Sequence, residues 1–324
     1  MLKIQIIIVF LFISFFSIHI VLSQLNFQKL DLPLTSSGPE AFAFDSIDSV
    51  SGEFYTGISD GRIVKYNTTN FIEVYITTPN RSRLCDGTNM LGAICGRPIG
   101  IEFYYKEKLL YIADAYKGLL VGGKDKLAVQ LATGAEGVPF KFPDGLNVDQ
   151  LTGDVYFTDA SSVFEMSQLP LAVLVNDATG RLLKYSKTTQ QVSVLLRGLA
   201  GAAGVAISSN ASFVLVTEFI TKRIQKLWLT GPLAFTSTVI KEFEGRPDNI
   251  KKTQIGDYFW VAVSTMSPIG ITISSAVKID GNGVVLQTIP LDRYYFNTAI
   301  SEFNQRGSNF YVGSLQAGFV GLLN

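Results

Sequence analysis

Histidine is almost missing from this chain of 324 residues: the single one, His19, lies in an apolar leader expected to be removed, so the mature protein cannot run imidazole chemistry. Cysteine is nearly as scarce, and Cys85 and Cys95, without any histidine, make a poor zinc site. Strong charge of either sign is lacking too. Lys and Arg number 27, as do Asp and Glu, and no basic run exceeds Lys251-Lys252, which argues against nucleic acid as a partner. No long amphipathic helix is legible; Val163 to Leu174 is the one stretch expected to hold a short helical insertion.

The leader itself, residues 1–23, has the parts of a secretory signal: Lys3, an apolar core from Ile6 to Phe16, and Val21-Leu22-Ser23 before Gln24. An uncleaved anchor is the alternative, since Ile4 to Leu22 approaches the roughly 20 residues that span a bilayer. Polar Gln5, Ser14, Ser17 and His19 interrupt the run and no basic stop-transfer cluster follows, so cleavage is expected, leaving residues 24–324 with no stable membrane span. Three N-x-S/T sequons, at Asn67, Asn80 and Asn210, fall in polar turns and fit the secretory route. In an oxidising compartment Cys85 and Cys95 are expected to pair and staple their Arg/Gly/Asn-rich loop.

What the chain has in abundance is a recurring strand. Phe54-Tyr55-Thr56-Gly57, Leu110-Tyr111-Ile112-Ala113, Val155-Tyr156-Phe157-Thr158, Val214-Leu215-Val216-Thr217, Phe259-Trp260-Val261-Ala262 and Phe310-Tyr311-Val312-Gly313 return at the spacing of propeller blades, which predicts an all-β, single-domain, six-bladed β-propeller. Gly61 to Tyr66 and Gly180 to Tyr185 alternate as half-buried outer strands do. The sixth blade runs out of chain one strand short, and Leu25 to Leu32 is expected to supply that strand and close the ring.

Each aromatic strand follows a turn-rich segment that begins the blade. In a propeller these segments converge on one axis, so the chemistry is expected there. Four of their side chains carry oxygen: Glu40, Asp144, Asp248 and Asn249. Carboxylates and amides around an axis are the ligands a hard cation such as Ca²⁺ takes, although Asp-Gly and Asp-Asn are also ordinary turn formers. Gly57-Ile58-Ser59-Asp60-Gly61 matches the G-x-S-x-G pattern of serine hydrolases, but in a hairpin and without a histidine base Ser59 reads as a turn residue. No organic cofactor is expected.

In order along the chain, Gly38-Pro39-Glu40-Ala41-Phe42-Ala43-Phe44-Asp45, Asp60-Gly61-Arg62-Ile63, Leu84-Cys85 through Cys95-Gly96-Arg97-Pro98, Gly137 to Phe142, Val155 to Asp159, Gly180 to Tyr185, Phe213 to Phe219 and Asn249-Ile250-Lys251 resemble the strictosidine synthase-like proteins of plants. The resemblance implies a six-bladed propeller of the vacuole or cell exterior and a Pictet–Spengler condensation of tryptamine with secologanin. It also implies a glutamate on the sixth inner strand as acid/base. The register set by Asn309 to Leu315 places Ser301 at that position, with Glu302 beside it and pointing to the opposite face unless the strand bulges. Ile99, Phe142 and Asp144 stand where the family's substrate pocket is lined. The related paraoxonase-type and gluconolactonase-type propellers hold calcium at the blade starts, and by that resemblance Glu40, Asp144, Asp248 and Asn249 are the matching ligands, with Ala203 in place of one amide. Three readings follow for a small-molecule site in the channel: the family's condensing lyase, a calcium-dependent esterase or lactonase, and a non-catalytic binding propeller.

Overall fold

A computed structural model describes residues 25–33, 36–46, 51–79, 84–85, 91–122 and 125–324; the leader expected to be a secretory signal and Asn80 lie outside the described residues. Its strands form six four-stranded antiparallel sheets and one two-stranded ribbon. The six aromatic runs are the second strands of the six sheets, as their spacing predicts. Gly180–Tyr185 and Arg62–Tyr66 are third strands rather than outermost ones, flanked by Val192–Leu199 and Phe71–Ile76, which explains why Gly180–Tyr185 is buried almost throughout.

The sheets are held to one another by apolar side chains that alternate along each strand and interleave with the next blade. Six core clusters result, one per interface between neighbouring blades. Leu146, Phe157 and Leu183 of the third blade meet Tyr104, Tyr111 and Leu119 of the second, for example, and Trp260 and Ile289 of the fifth meet Phe303 and Val312 of the sixth. The sixth blade is built from both ends of the chain: Phe27–Asp31 pairs antiparallel with Phe319–Leu323, Leu30 opposite Val320. Leu30 and Val320 then pack with Phe42, Phe54 and Tyr311, so the closing strand and the first blade share one core. Leu30→Ala should therefore cost roughly 2–5 kcal/mol. A shift in the urea midpoint corresponding to less than about 0.5 kcal/mol would show that ring closure does not depend on this strand.

Residues 161–179 interrupt the third blade as expected, with a short α-helix at Leu169–Leu174. Cys85 and Cys95 are bonded to each other. No helix among the described residues is long and apolar enough to cross a membrane.

Candidate functional site

The inner strands share a local irregularity that shapes the channel mouth. In four of them pairing slips near the start, between Pro98 and Gly100, Pro143 and Leu146, Ala202 and Val205, and Pro247 and Ile250. Such bulges re-aim side chains. The backbones approach so closely here that a Cβ on Gly100 would stand 2.2 Å from the Asp144 carbonyl oxygen, and one on Gly145 would stand 2.6 Å from that of Ala203. Hydroxyls from the second strands seal the joints. Thr158 Oγ1 accepts from the Gly145 N–H at 3.0 Å and donates to the Ala203 carbonyl, and Thr217 repeats this with the Gly204 N–H and the Asp248 carbonyl, each at 2.7 Å.

Beyond the slip, Phe42, Ile101, Leu146, Val205, Ile250 and Phe303 are equivalent paired positions. Two residues before each stand Glu40, Ile99, Asp144, Ala203, Asp248 and Ser301. The structure thus gathers three of the four expected ligands into one tier. Asn249 belongs one step further along, in the tier of Gly145 and Glu302, and is not equivalent to the carboxylates; the dipeptide Asp248-Asn249 puts its two side chains in successive tiers.

The tier is crowded with buried carboxyl groups. Glu40 is held well above the ordinary carboxylate range, first by burial and then by Asp144 and Asp248; Asp144 is raised by burial and by Asp248. Asp248, mostly buried with only part of its surface at the rim, is pushed up to about 7 first by that burial, against the stabilising hydrogen bond of Ser301. One cation stands near: Arg97, 2% exposed, whose charge opposes the rise at Glu40. Glu40 Oε2, Asp144 Oδ1, Asn249 Nδ2 and Arg97 Nε and Nη1 are all buried without a hydrogen-bond partner. Of the three carboxyls only Glu40 has Arg97 beside it, and Arg97 also faces Asp114, so the tier with all three acids ionised would lack at least two positive charges. Protons on two acids would supply them, and so would one divalent cation. The donor set, carboxylate oxygens and an amide that can turn its oxygen inward, is of the type a hard cation takes, although among the described residues no three acidic, cysteine or histidine side chains are grouped closely enough to hold a metal ion as they stand.

Ser301 and Glu302 go separate ways, as the register predicts. Ser301 Oγ accepts from the Leu315 N–H at 3.0 Å and bonds Asp248, whereas Glu302 turns deeper, its Oε1 accepting from the Phe42 N–H at 3.1 Å and its Oε2 lying 3.4 Å from Lys251 Nζ. Glu302 is thus held by the Phe42 N–H and Lys251 rather than by the partners of Ser301. Ile99 and Phe142 pack with Met166, Tyr116, Leu169 and Leu315 into an apolar wall under the inserted helix, next to the carboxylate tier. Asn67 and Asn210 sit in turns outside the channel, where Asn67 Oδ1 takes the N–H groups of Thr69 and Asn70. Ser59 accepts the Ser37 N–H in its hairpin turn.

Two contributors escape a reading of the sequence: Arg97 and Lys251, the counter-charges, which come from other blades than the acids they serve. Asp114, Asp159 and Glu218 also escape it. They end three of the aromatic strands and accept the N–H groups of Arg97, Phe142 and Ala200, fixing the segments that begin the blades.

Comparison with known proteins gives a consistent result. Residues 144–232 match the family model described as strictosidine synthase, and residues 25–66 that described as strictosidine synthase-like, N-terminal. The chain is 46% identical over 303 residues to protein strictosidine synthase-like 12 of Arabidopsis thaliana, covering 92% of this chain and 90% of the relative. It is 37% identical over 307 residues to strictosidine synthase of Catharanthus roseus, covering 91% and 86%. Among solved structures, a gluconolactonase from Xanthomonas campestris superposes with a TM-score of 0.64 at 14% identity, covering 93% of this chain and 90% of that one, which is a likeness of fold.

Proposed function

The chain belongs to the strictosidine synthase-like family, and from that premise we propose that its channel mouth takes up a small, partly apolar molecule and hydrolyses an ester or lactone with the help of a divalent cation such as Ca²⁺. The carrying observation is the charge deficit: three carboxylates, two with an unpartnered buried oxygen, against Arg97 alone. Glu40, Asp144, Asp248 and the Asn249 amide would hold the cation. When bound, it supplies an electrophile that polarises a carbonyl and stabilises the oxyanion. The chain's own residues do the rest. The Ile99 and Phe142 wall receives the apolar part of the substrate, and a carboxylate of the same tier, Asp144 or Glu40, takes the proton of the attacking water. The disulfide supports a secretory address, vacuole or cell exterior.

A panel of aryl esters and lactones tests this. Turnover is expected with calcium, is abolished by chelation, and falls roughly a hundredfold in Glu40→Gln. Turnover indifferent to chelator refutes the metal-assisted step, and silence across the panel favours a binding propeller. One observation favours the family's condensation as a second reading: Asp248, pushed up to about 7, is an acid/base group hydrogen-bonded to the very serine that occupies the glutamate position. Product from tryptamine and secologanin, lost in Asp248→Asn, would select it.

A further inference from the structure

The channel has a second mouth. Where the inner strands end, away from the carboxylate tier, their walls enclose a cavity of about 370 Å³, within the size range of small-molecule sites. The Glu302 and Lys251 ion pair lies between the two: Lys251 lines the cavity, while Glu302 acts on Glu40 and Asp248.

Arg306 is poised over this cavity in an unusual way. Its guanidinium stands 4.4 Å from the centre of the Phe44 ring, Nη2 donates to the Tyr105 hydroxyl at 3.4 Å, and Nε is enclosed without any hydrogen-bond partner. Stacking on an aromatic face holds the fork flat. Lys252 lines the same space, its Nζ reaching only the Thr253 carbonyl at 3.4 Å. Neither makes an ion pair with a carboxylate among the described residues.

The other charges around the cavity are already committed. Lys251 is matched by Glu302. Asp149 turns its oxygens onto the Leu151 N–H and the Thr152 hydroxyl, and Glu102 Oε2 accepts from the Asn147 amide and the Val148 N–H. Glu102 and Asp149, though without an ion pair among the described residues, thus have oxygens satisfied by hydrogen bonds, whereas Arg306 Nε has no partner and Lys252 Nζ has only a long bond to a backbone carbonyl, so the unsatisfied donors here are both cationic. Phe42, Val148 and Ile207 are apolar members of the same lining. We propose that this second mouth binds a small organic carboxylate, its anionic end forked by Arg306 and met by Lys252, its apolar body against Phe42, Val148 and Ile207. A guanidinium fork fits the two oxygens of a carboxylate, and the apolar lining selects against a bare inorganic anion.

Titration calorimetry of the mature chain with benzoate, benzamide and inorganic phosphate tests the assignment. Benzoate is expected to bind saturably, with benzamide and phosphate each about tenfold weaker or more, and with benzoate affinity falling by a similar factor in Arg306→Gln and in Lys252→Gln. Should Arg306→Gln fail to fold for want of its stacking on Phe44, the half-exposed Lys252→Gln carries the test. Equal binding of benzoate and benzamide overturns the proposal. So does phosphate binding as tightly as benzoate, benzoate affinity indifferent to both substitutions, or no saturable benzoate binding at millimolar concentration.

Discussion

Lys251→Met is expected to destabilise the protein by roughly 3–5 kcal/mol at neutral pH, the cost of leaving one member of a buried ion pair without its partner. Glu302 is fully buried, and burial already raises its proton affinity despite Lys251, the Asn304 amide and the Phe42 N–H, which lower it. Without the ammonium the carboxyl is raised further and is pressed by Glu40 and Asp248. Its folded pKa then lies above the unfolded value, so stability is kept at low pH and lost as pH rises through the folded pKa. The variant should thus sit closer to wild type at pH 4 than at pH 8 in urea unfolding, and Glu302→Gln added to Lys251→Met should recover most of the loss. A penalty that is small, or the same at both pH values, would mean that water reaches Glu302 and that the pair is an ordinary surface contact.

That pair also marks where legibility in the sequence ended. The blades were legible because a propeller repeats one strand pattern, and Val155 to Thr158 or Phe310 to Gly313 carries it without help from distant residues. Ring closure was legible for a similar reason: a blade short of a strand leaves an open edge, and Leu25 to Leu32 was the one apolar run left to cover it. Glu40, Asp144 and Asp248 were legible as acids at turns, in positions that a ring must bring together. Their counter-charges were not. Arg97 answers Glu40 from the neighbouring blade, and Lys251 answers Glu302 from the blade before it. Pairings across blades depend on side-chain reach over a closed ring, which no local spacing encodes. Asn249 was misplaced among the carboxylates for a related reason, because two adjacent turn-forming residues look alike in sequence while the strand puts them in different tiers.

Adding calcium at pH 8 should raise the melting temperature by roughly 5 °C relative to chelated protein, the effect of about 2.7 kcal/mol at a hundredfold excess over the dissociation constant. The pH dependence separates the two ways of balancing the carboxylate tier. In the chelated protein, Asp248 has a folded pKa pushed up to about 7, above its unfolded value near 3.8, so the native state holds the proton more tightly. Its contribution to stability is then fully present below about pH 4 and is lost as pH rises through about 7. A cation reverses the slope, because its ligands must shed protons to bind it, so the calcium-induced rise should be small at pH 5 and grow toward pH 8. Asp248→Asn should shrink that rise and flatten the chelated profile together, since one carboxylate underlies both. A melting temperature unchanged by calcium at pH 8 would mean that protons alone neutralise Glu40, Asp144 and Asp248. The tier would then be a cluster of neutral carboxylic acids, able to donate a proton to a bound molecule but without the electrophile that ester hydrolysis at this site requires.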